Sequence, residues 1–300
     1  MVKPSVLIIG CGDLGMTLGH QLIAEGHRVI GVRRRAEALA GTGIEPLALD
    51  LNTLDDAGAD ALPETDYVIY TASADRFEES AYQSAYSDGI KRVLAVLEQH
   101  AAPPKRMFFV SSTSVYGQQQ GEVINEDSPA AAESFSGRLM LDAERALLDH
   151  AIPGTVVRFS GIYGPGRDRL IRQVAEGRVA AVTPEIYTNR IHRDDCTGIL
   201  HHLIQRHERG DSVEPLYLGS DSEPATQHAV MSWLARQLRV KPTDTMQSPL
   251  RRRASKRCDN TRVVKSGYVF RYPTFREGYA QVLKEGGFLP TQPAAHTPET

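Results

Sequence analysis

A glycine-rich turn near the N-terminus constrains the fold most. The sequence GCGDLG places Gly10, Gly12 and Gly15 between an apolar run, Val6–Ile9, and a segment with helical periodicity, Leu14–Glu25. The first glycine permits a tight turn, the second lets the backbone approach a pyrophosphate, and the third allows close helix-to-strand packing. The helix N-terminus would stabilise the phosphate charge. This context predicts a dinucleotide-binding βαβ unit, and a plain glycine-rich turn is the alternative.

Basic residues end the second β-rich run, which reads VIGVRRR and contains Arg33, Arg34 and Arg35. An acidic residue at this point would bind the ribose 2′-hydroxyl of NAD, whereas cations favour a 2′-phosphate. We therefore predict NADP in preference to NAD, with Arg33 and Arg34 as contacts. A solvated charged loop is the alternative.

Further cofactor contacts are expected beside the turn and after the next strands. Asp50 follows the third β-rich run, where its carboxylate could hold the adenine edge, and a helix cap is the alternative. The candidate cofactor residues besides the glycines and arginines are Asp13, Leu14, Asp50, Leu51, Thr71 and Ala72.

Strand-like and helical patterns alternate along the first half of the chain. Beyond the first run, β-rich runs lie at residues 29–32, 47–49, 67–71, 107–110 and 155–159. Helical patterns occupy residues 77–99 and begin again at Phe135. This order predicts an α/β fold of Rossmann type, with a doubly wound parallel sheet covered on both faces.

The regular alternation of strand-like and helical patterns ends after Gly161, at the turn-rich stretch GIYGPGR. We predict a dinucleotide-binding domain over residues 1–165 and a smaller C-terminal α/β substrate lobe over residues 166–288, with segments that return to the sheet. Helical patterns in the lobe cover residues 169–176, 196–205 and 227–238, and YPTFREGYAQVLKEGG closes it. Residues 289–300 lack periodicity and predict a frayed tail.

Charge and apolar length limit the partners of the chain. Its 34 Lys and Arg against 37 Asp and Glu leave a formal net charge of −3, which argues against a general attraction to nucleic acid or anionic membrane. The longest early apolar run is too short to span a bilayer, and no leader precedes it. We expect a cytoplasmic protein whose partner is a small-molecule substrate.

Cysteine usage points to no metal and no disulfide framework. Cys11, Cys196 and Cys258 are odd in number and far apart, without C-x-x-C spacing. A reducing compartment fits this pattern best.

Several motifs recur in the order of one known group. They are VSSTSVYG (110–117), INEDSP (124–129), RFSGIYGPGR (158–167), NRIHRDD (189–195) and YPTFREG (272–278). By them the chain resembles the extended short-chain dehydrogenase/reductase superfamily, the NAD-dependent epimerase/dehydratase group, over nearly all of residues 5–288. The resemblance implies a Rossmann domain, a small substrate lobe and a cleft between them. It also implies a possible homodimer through the helices near residues 77–99 and after Phe135.

Two departures from the group stand out. Ile9 occupies the place of its first glycine, and the tighter G-x-G-x-x-G pattern resembles atypical branches of the superfamily. The group's Y-x-x-x-K pair falls on Ser136 and Met140, with Glu144 marking the register. In the group, the lysine lowers the tyrosine pKa so that the phenol exchanges a proton near neutrality. A serine hydroxyl is far less acidic, and methionine supplies no charge, so the ordinary catalytic pair is missing.

Other residues are candidates for the proton chemistry. Ser112 matches the group's upstream Ser/Thr, whose hydroxyl would bond a substrate carbonyl; a satisfied polar group at a strand end is the alternative. The resemblance places Tyr163 and His192 on cleft loops, where a packing tyrosine and a helix N-cap are the alternatives. The candidate catalytic residues are Ser112, Ser136, Tyr163 and His192.

Two functions follow from these features. The first is an NADP-dependent oxidoreductase or epimerase-like enzyme with an unusual acid, acting on a small polar or sugar-derived substrate. The second is a binding module or sensor that responds to NADP without hydride transfer. The basic stretch RRRASKR, Arg251–Arg257, could clamp substrate phosphates, and a solvated loop is its alternative.

Overall fold

The computed structural model describes residues 3–54, 58–246 and 255–289. The strands, numbered in chain order, are β1 (Ser5–Ile9), β2 (Arg28–Arg33), β3 (Glu45–Ala48), β4 (Tyr67–Tyr70), β5 (Arg106–Ser112), β6 (Gln120–Ile124), β7 (Gly154–Phe159), β8 (Gly161–Tyr163), β9 (Arg178–Ala180), β10 (Tyr187–Thr188), β11 (Arg190–His192), β12 (Leu216–Gly219), β13 (Ala225–Thr226), β14 (Asp244–Met246) and β15 (Ser255–Cys258).

Nine α-helices lie within the described ranges: α1 (Asp13–Ala24), α2 (Glu79–Tyr82), α3 (Gly89–Leu97), α4 (Phe135–Leu148), α5 (Arg169–Ala175), α6 (Arg193–Glu208), α7 (Gln227–Leu238), α8 (Thr261–Lys265) and α9 (Phe275–Glu285). A π-helical segment, Gln83–Asp88, joins α2 to α3. Single 3-10 turns occupy Ala36–Leu39, Leu51–Thr53, Ala59–Ala61 and Thr113–Val115.

A seven-stranded sheet forms the centre of the fold. Its strands lie in the order β12–β7–β5–β4–β1–β2–β3, and every neighbouring pair is parallel. The strand order reverses between β1 and β4, as in a doubly wound fold. The predicted Rossmann-type α/β class is confirmed.

Alternation along the strands explains the two covered faces. In β1, Val6 and Ile8 belong to one apolar cluster, while Leu7 and Ile9 belong to another on the opposite face. Helices α1 and α6 supply Leu14, Leu18, Leu22, Ile199, Leu200 and Leu203 to the first of these clusters. Helices α3 and α4 supply Val93, Leu94, Leu97, Met140, Leu141 and Leu147 to the second.

A third apolar cluster is built from helices α5, α7 and α9. Its buried members include Ile171, Val174, Val230, Met231, Leu234, Phe275 and Leu283. Two segments that follow residue 165 in the chain pack on the main sheet: α6 contacts α1, and β12 pairs with β7.

The helix predicted over residues 77–99 differs most from expectation. It begins at Glu79, ends at Leu97 and is interrupted by the π-helical segment. The Tyr70 hydroxyl donates to the carbonyl oxygen of Ala85, 2.5 Å away, and so inserts into the helical ladder. Gly89 leaves room for it, because a Cβ there would lie 2.4 Å from Tyr70 Oη. A side chain inserted in this way interrupts a helix.

Other element boundaries differ from the predicted ones by a few residues, and two predicted segments lie partly outside the described residues. The helix predicted from residue 196 begins at Arg193, because His192 caps it. The predicted tail lies outside the described residues except for Leu289, and so do Arg251–Ala254 of the basic stretch. The remaining part of that stretch is buried in places: the Lys256 ammonium donates to the Tyr116 carbonyl oxygen. Among helices in the described ranges, none combines the length and apolarity needed to cross a membrane.

Candidate functional site

The three glycines of the turn each meet a different steric demand. Gly10 has φ +80°, and an ideal Cβ on it would lie 2.3 Å from Ala72 Cα. A Cβ on Gly12 would meet nothing closer than Gly10 O at 3.9 Å, so the space in front of the α1 N-terminus is open. A Cβ on Gly15 would lie 2.9 Å from Ile8 Cγ2, which keeps α1 close to β1. This is an open cradle of the kind that accepts a phosphate.

Two cavities meet at this turn, at the carboxyl edge of the sheet. The outer cavity, about 450 Å³, runs past the end of β2, and the inner cavity, about 420 Å³, runs past the end of β5. Both are lined by Gly10, Gly12, Ala72 and Ser73. They therefore adjoin at the turn, and we call the two cavities together the sheet-edge cleft.

The basic end of the cleft contains the arginines at and just after the end of β2. Arg33, Arg34 and Arg35 all line the outer cavity. Arg34 is paired with Asp75 across 2.5 Å, and both side chains are exposed. Arg33 Nη1 lies 3.4 Å from the Cys11 carbonyl oxygen, a long hydrogen bond that leaves most of its donors available.

Asp50 and Thr71 bond to the backbone around the cleft. The Asp50 carboxylate accepts from the Asn52 amide at 3.0 Å and caps the 3-10 turn. Thr71 Oγ1 donates to the backbone oxygen of Gly10 at 3.0 Å. Leu51 lines the outer cavity, and Leu14 lines the inner one.

Asp13, at the first position of α1, is paired with two arginines that come from beyond β8. Its carboxylate accepts from Arg167 at 3.1 Å and from Arg193 at 3.0 Å. Arg167 lines the inner cavity with Asp13. A carboxylate at this position would repel a pyrophosphate, and these cations offset its charge. Sequence reasoning missed both arginines, although GPGR and HRDD were recognised as motifs.

The inner cavity contains some of the candidate catalytic residues. Ser112 and Met140 line it, together with Phe159 and Tyr86. Ser112 Oγ accepts from the Ser114 amide at 3.1 Å, so its own proton is available to another acceptor. Met140 is buried and presents its thioether in place of a cation.

Ser136 and Ser134 together occupy the first turn of α4. Ser136 is buried, and its Oγ lies 3.2 Å from Ser134 Oγ, the hydroxyl that caps the helix. Met140 follows one turn later on the same helix. The structure thus places the two replaced positions in different surroundings: Met140 lines the inner cavity, and the Ser136 hydroxyl lies beside the helix cap.

Tyr163 and His192 lie in buried packing next to α9. His192 Nδ1 accepts from the Asp194 amide at 3.1 Å, so Nε2 carries the proton and donates to Gln281 Oε1, also at 3.1 Å. Burial lowers the pKa of His192, with an opposing contribution from the Asp194 carboxylate. The Tyr163 ring stacks on Tyr279 at 4.4 Å, and burial raises the pKa of its phenol.

These contacts separate Tyr163 and His192 from the cleft. Neither is among the residues that line the inner cavity, where Ser112 lies. The structure therefore does not bring these two side chains together with Ser112. Their packing and capping contacts match the alternatives that the sequence left open.

A buried ion pair supports the floor of the inner cavity. Arg158 donates to Glu144 through Nε at 3.0 Å and Nη2 at 2.5 Å, and Ser111 Oγ donates to Glu144 Oε1 at 2.5 Å. Ser111 lines the cavity beside Ser112. In the sequence, Glu144 served only to mark the helix register; its partner Arg158 lies on strand β7.

The groups that line the cleft suit an anionic dinucleotide. An open helix N-terminus and three arginines match the negative charge of a dinucleotide, and hydroxyls lie at the opposite end of the cleft. In the described ranges, no group of three or more His, Cys, Asp or Glu side chains is arranged to hold a metal ion.

The chain is similar to proteins of one family over most of its length. A model of the NAD dependent epimerase/dehydratase family matches residues 6–219. The protein YeeZ of Escherichia coli (strain K12) is 30% identical over 280 residues, which cover 89% of this chain and 96% of YeeZ.

Solved structures agree with this match. A candidate NAD-dependent epimerase/dehydratase from Methylobacillus flagellatus has 35% sequence identity and a TM-score of 0.76, with 95% of this chain and 99% of that chain covered. The human epimerase family protein SDR39U1 (isoform 2), solved with NADPH, is 20% identical, with a TM-score of 0.77 over 93% of this chain and 99% of its own. At that identity, the likeness shows the fold alone.

Proposed function

Because the chain belongs to the NAD-dependent epimerase/dehydratase family, we propose that it binds NADP(H) in the sheet-edge cleft and acts as an oxidoreductase or epimerase-like enzyme. Its substrate would be a small polar or sugar-derived molecule. One observation carries this proposal: the two adjoining cavities extend from the arginines at the end of β2, past the open N-terminus of α1, to Ser112.

The two ends of the cleft would bind different parts of the cofactor and the substrate. At the outer end, Arg33 would pair with the 2′-phosphate of NADP, a group that NAD lacks. At the turn, the Gly12 backbone would accommodate the pyrophosphate, while Arg167 and Arg193 neutralise Asp13. At the inner end, Ser112 Oγ would donate its free proton to a substrate oxygen. The bound nicotinamide would supply or accept a hydride there.

A second candidate function rests on Met140. A thioether on the wall of the inner cavity cannot lower the pKa of a neighbouring phenol, as a lysine would. The protein would then be a sensor, in which NADP(H) occupancy changes the Asp13 ion pairs with Arg167 and Arg193 and no hydride moves.

An assay of NADPH turnover distinguishes the enzyme from the sensor. Purified protein would be incubated with NADPH and a panel of small polar aldehydes and ketones, dihydroxyacetone and glyceraldehyde among them, while NADPH absorbance is followed. Steady oxidation that depends on a carbonyl compound supports the enzyme. Tight NADPH binding with no oxidation on any compound supports the sensor, and no binding of either nicotinamide cofactor would reject both.

Arg33→Ala is expected to weaken NADPH binding about 10- to 100-fold while NADH binding changes less than about three-fold. A charge-assisted bond to the 2′-phosphate is the interaction lost, and NADH lacks that group. Cofactor fluorescence titration measures both dissociation constants. Arg28→Ala is the matched control, since Arg28 begins the same strand but pairs with Glu45 on the surface. Equal weakening of NADPH and NADH by Arg33→Ala would refute the NADP assignment.

A further inference from the structure

The inner cavity holds one phenol that sequence reasoning did not single out. Tyr86 lines it with Ser112 and Met140, and in the described ranges no other tyrosine is among its lining residues. The side chain is 9% exposed. In the sequence, Tyr86 belongs to a helical apolar pattern, which predicts packing against the sheet and gives no sign of a cleft.

The interrupted helix explains how Tyr86 reaches the cavity. Tyr86 lies in the π-helical segment, where the Tyr70 hydroxyl donates a hydrogen bond to the carbonyl oxygen of Ala85. Single π turns of this kind often occur at functional sites. Ring contacts with Tyr82, at 5.2 Å between centroids, and with Phe109, at 6.5 Å, hold the ring of Tyr86 in place.

The Tyr86 phenol carries one O–H donor at the wall of the inner cavity. It can donate this hydrogen to an acceptor bound there. Burial raises the pKa of Tyr86 to about 12, the Tyr82 phenol adds to the rise, and the Ala74 amide opposes it. The phenol is therefore protonated at neutral pH and serves as a donor rather than as a base.

We propose that Tyr86 supplies the phenol that α4 lacks, and that its hydroxyl donates a proton to the carbonyl oxygen of the substrate opposite Ser112. This inference rests on the proposed oxidoreductase function. The bound reduced nicotinamide dinucleotide is the reductant and supplies the hydride to the carbonyl carbon.

The proton step balances as follows. As the carbon–hydrogen bond forms, the π electron pair of the carbonyl moves to its oxygen. The Oη–H bond of Tyr86 breaks, its proton forms the new alcohol, and water returns a proton to the phenolate. A phenol that is protonated at neutral pH is in the form that reduction of a carbonyl requires.

The first test compares two tyrosines on the same helical stretch. Tyr86→Phe should lower kcat for the best carbonyl compound of the panel by about 100-fold, because a positioned acid contributes that much or more. NADPH affinity should change less than about three-fold. Tyr82→Phe keeps a ring against Tyr86 and removes a hydroxyl outside the cavity lining, so it should change kcat less than about three-fold. Tyr86→Phe with kcat near that of the wild type would overturn the proposal.

A second test needs no turnover. The oxidised nicotinamide ring carries a positive charge, so a phenol beside it should ionise about one pH unit lower with NADP⁺ bound than with NADPH bound. Tyrosinate absorbance against pH would show this difference in the wild type and in Tyr82→Phe. It should vanish in Tyr86→Phe, while the neighbouring Tyr70 and Tyr82 phenols titrate alike in both cofactor states.

The outcomes separate this inference from the proposed function. No difference between the two cofactor states, or one that persists in Tyr86→Phe, overturns the inference even if the protein oxidises NADPH. Absence of turnover rejects the enzyme and with it the proton transfer from Tyr86, and the titration then shows only whether the phenol lies beside the nicotinamide. Failure of the wild-type protein to bind either cofactor overturns both.

Discussion

Replacing Glu144 with alanine should lower the free energy of unfolding by about 3–5 kcal/mol. The carboxylate is 3% exposed and the Arg158 side chain 7%, so the change leaves a buried guanidinium without its counter-charge. Burial acts to lower the pKa of Arg158, but its bonds to Glu144 outweigh burial and raise it. Ser111 would lose its acceptor at the same time. Urea denaturation of the purified variant measures the loss.

Two further variants make this prediction specific. Glu45→Ala breaks the Arg28–Glu45 pair, whose side chains are 56% and 49% exposed, and should cost less than about 1 kcal/mol. The double change Glu144→Leu with Arg158→Met replaces both charges by apolar groups and should recover most of the lost stability. A cost for Glu144→Ala no larger than that for Glu45→Ala would contradict the buried pair.

Gly10→Ala is expected to lower the free energy of unfolding by about 3–5 kcal/mol and to weaken NADPH binding about 100-fold. The backbone at Gly10 has φ +80°, which costs an alanine about 1–2 kcal/mol. The new Cβ would also lie 2.3 Å from Ala72 Cα and 2.4 Å from Ala72 N, where backbone must move. That movement displaces the turn on which the pyrophosphate would lie.

Gly41→Ala is the matched control for Gly10→Ala. Gly41 has a similar φ of +74°, but a Cβ there meets nothing within 4 Å. It should therefore cost only about 1–2 kcal/mol and leave cofactor binding unchanged. Denaturation and cofactor fluorescence titration would be applied to both variants. Equal behaviour of the two alanine variants would show that Ala72 does not crowd the turn.

The sequence was most informative where a local rule acts alone. Helix α7 occupies the residues 227–238 that its periodicity predicted, because its apolar positions recur on one face. The alternating strands and helices predicted the parallel sheet, and the quoted motifs predicted the family that the comparison confirms. The NADP preference, the domain boundaries and the site residues remain predictions for the experiments above.

Local rules failed where a side chain has a partner far away in the chain. The helix interruption at residues 83–88 depends on Tyr70, a strand residue whose hydroxyl reaches Ala85. The sequence leaves His192 open between a cleft base and a helix N-cap. The structure shows its Nδ1 capping the helix at the Asp194 amide, and it adds Gln281, 89 residues away, as the partner of Nε2. Tyr86 resembled a core residue, yet it lines the inner cavity.

The sequence by itself predicted six of the seven strands of the central sheet, the glycine turn after the first of them, and the loss of the usual tyrosine and lysine on α4. Only the tertiary structure decided which phenol faces the cleft, which arginines neutralise Asp13, and which cation is buried against Glu144. Periodicity specifies which side of an element is buried, because that depends on spacing along one segment. Which residues pack against that buried side depends on how distant segments of the chain fold together. Those tertiary contacts determine the chemistry of a site.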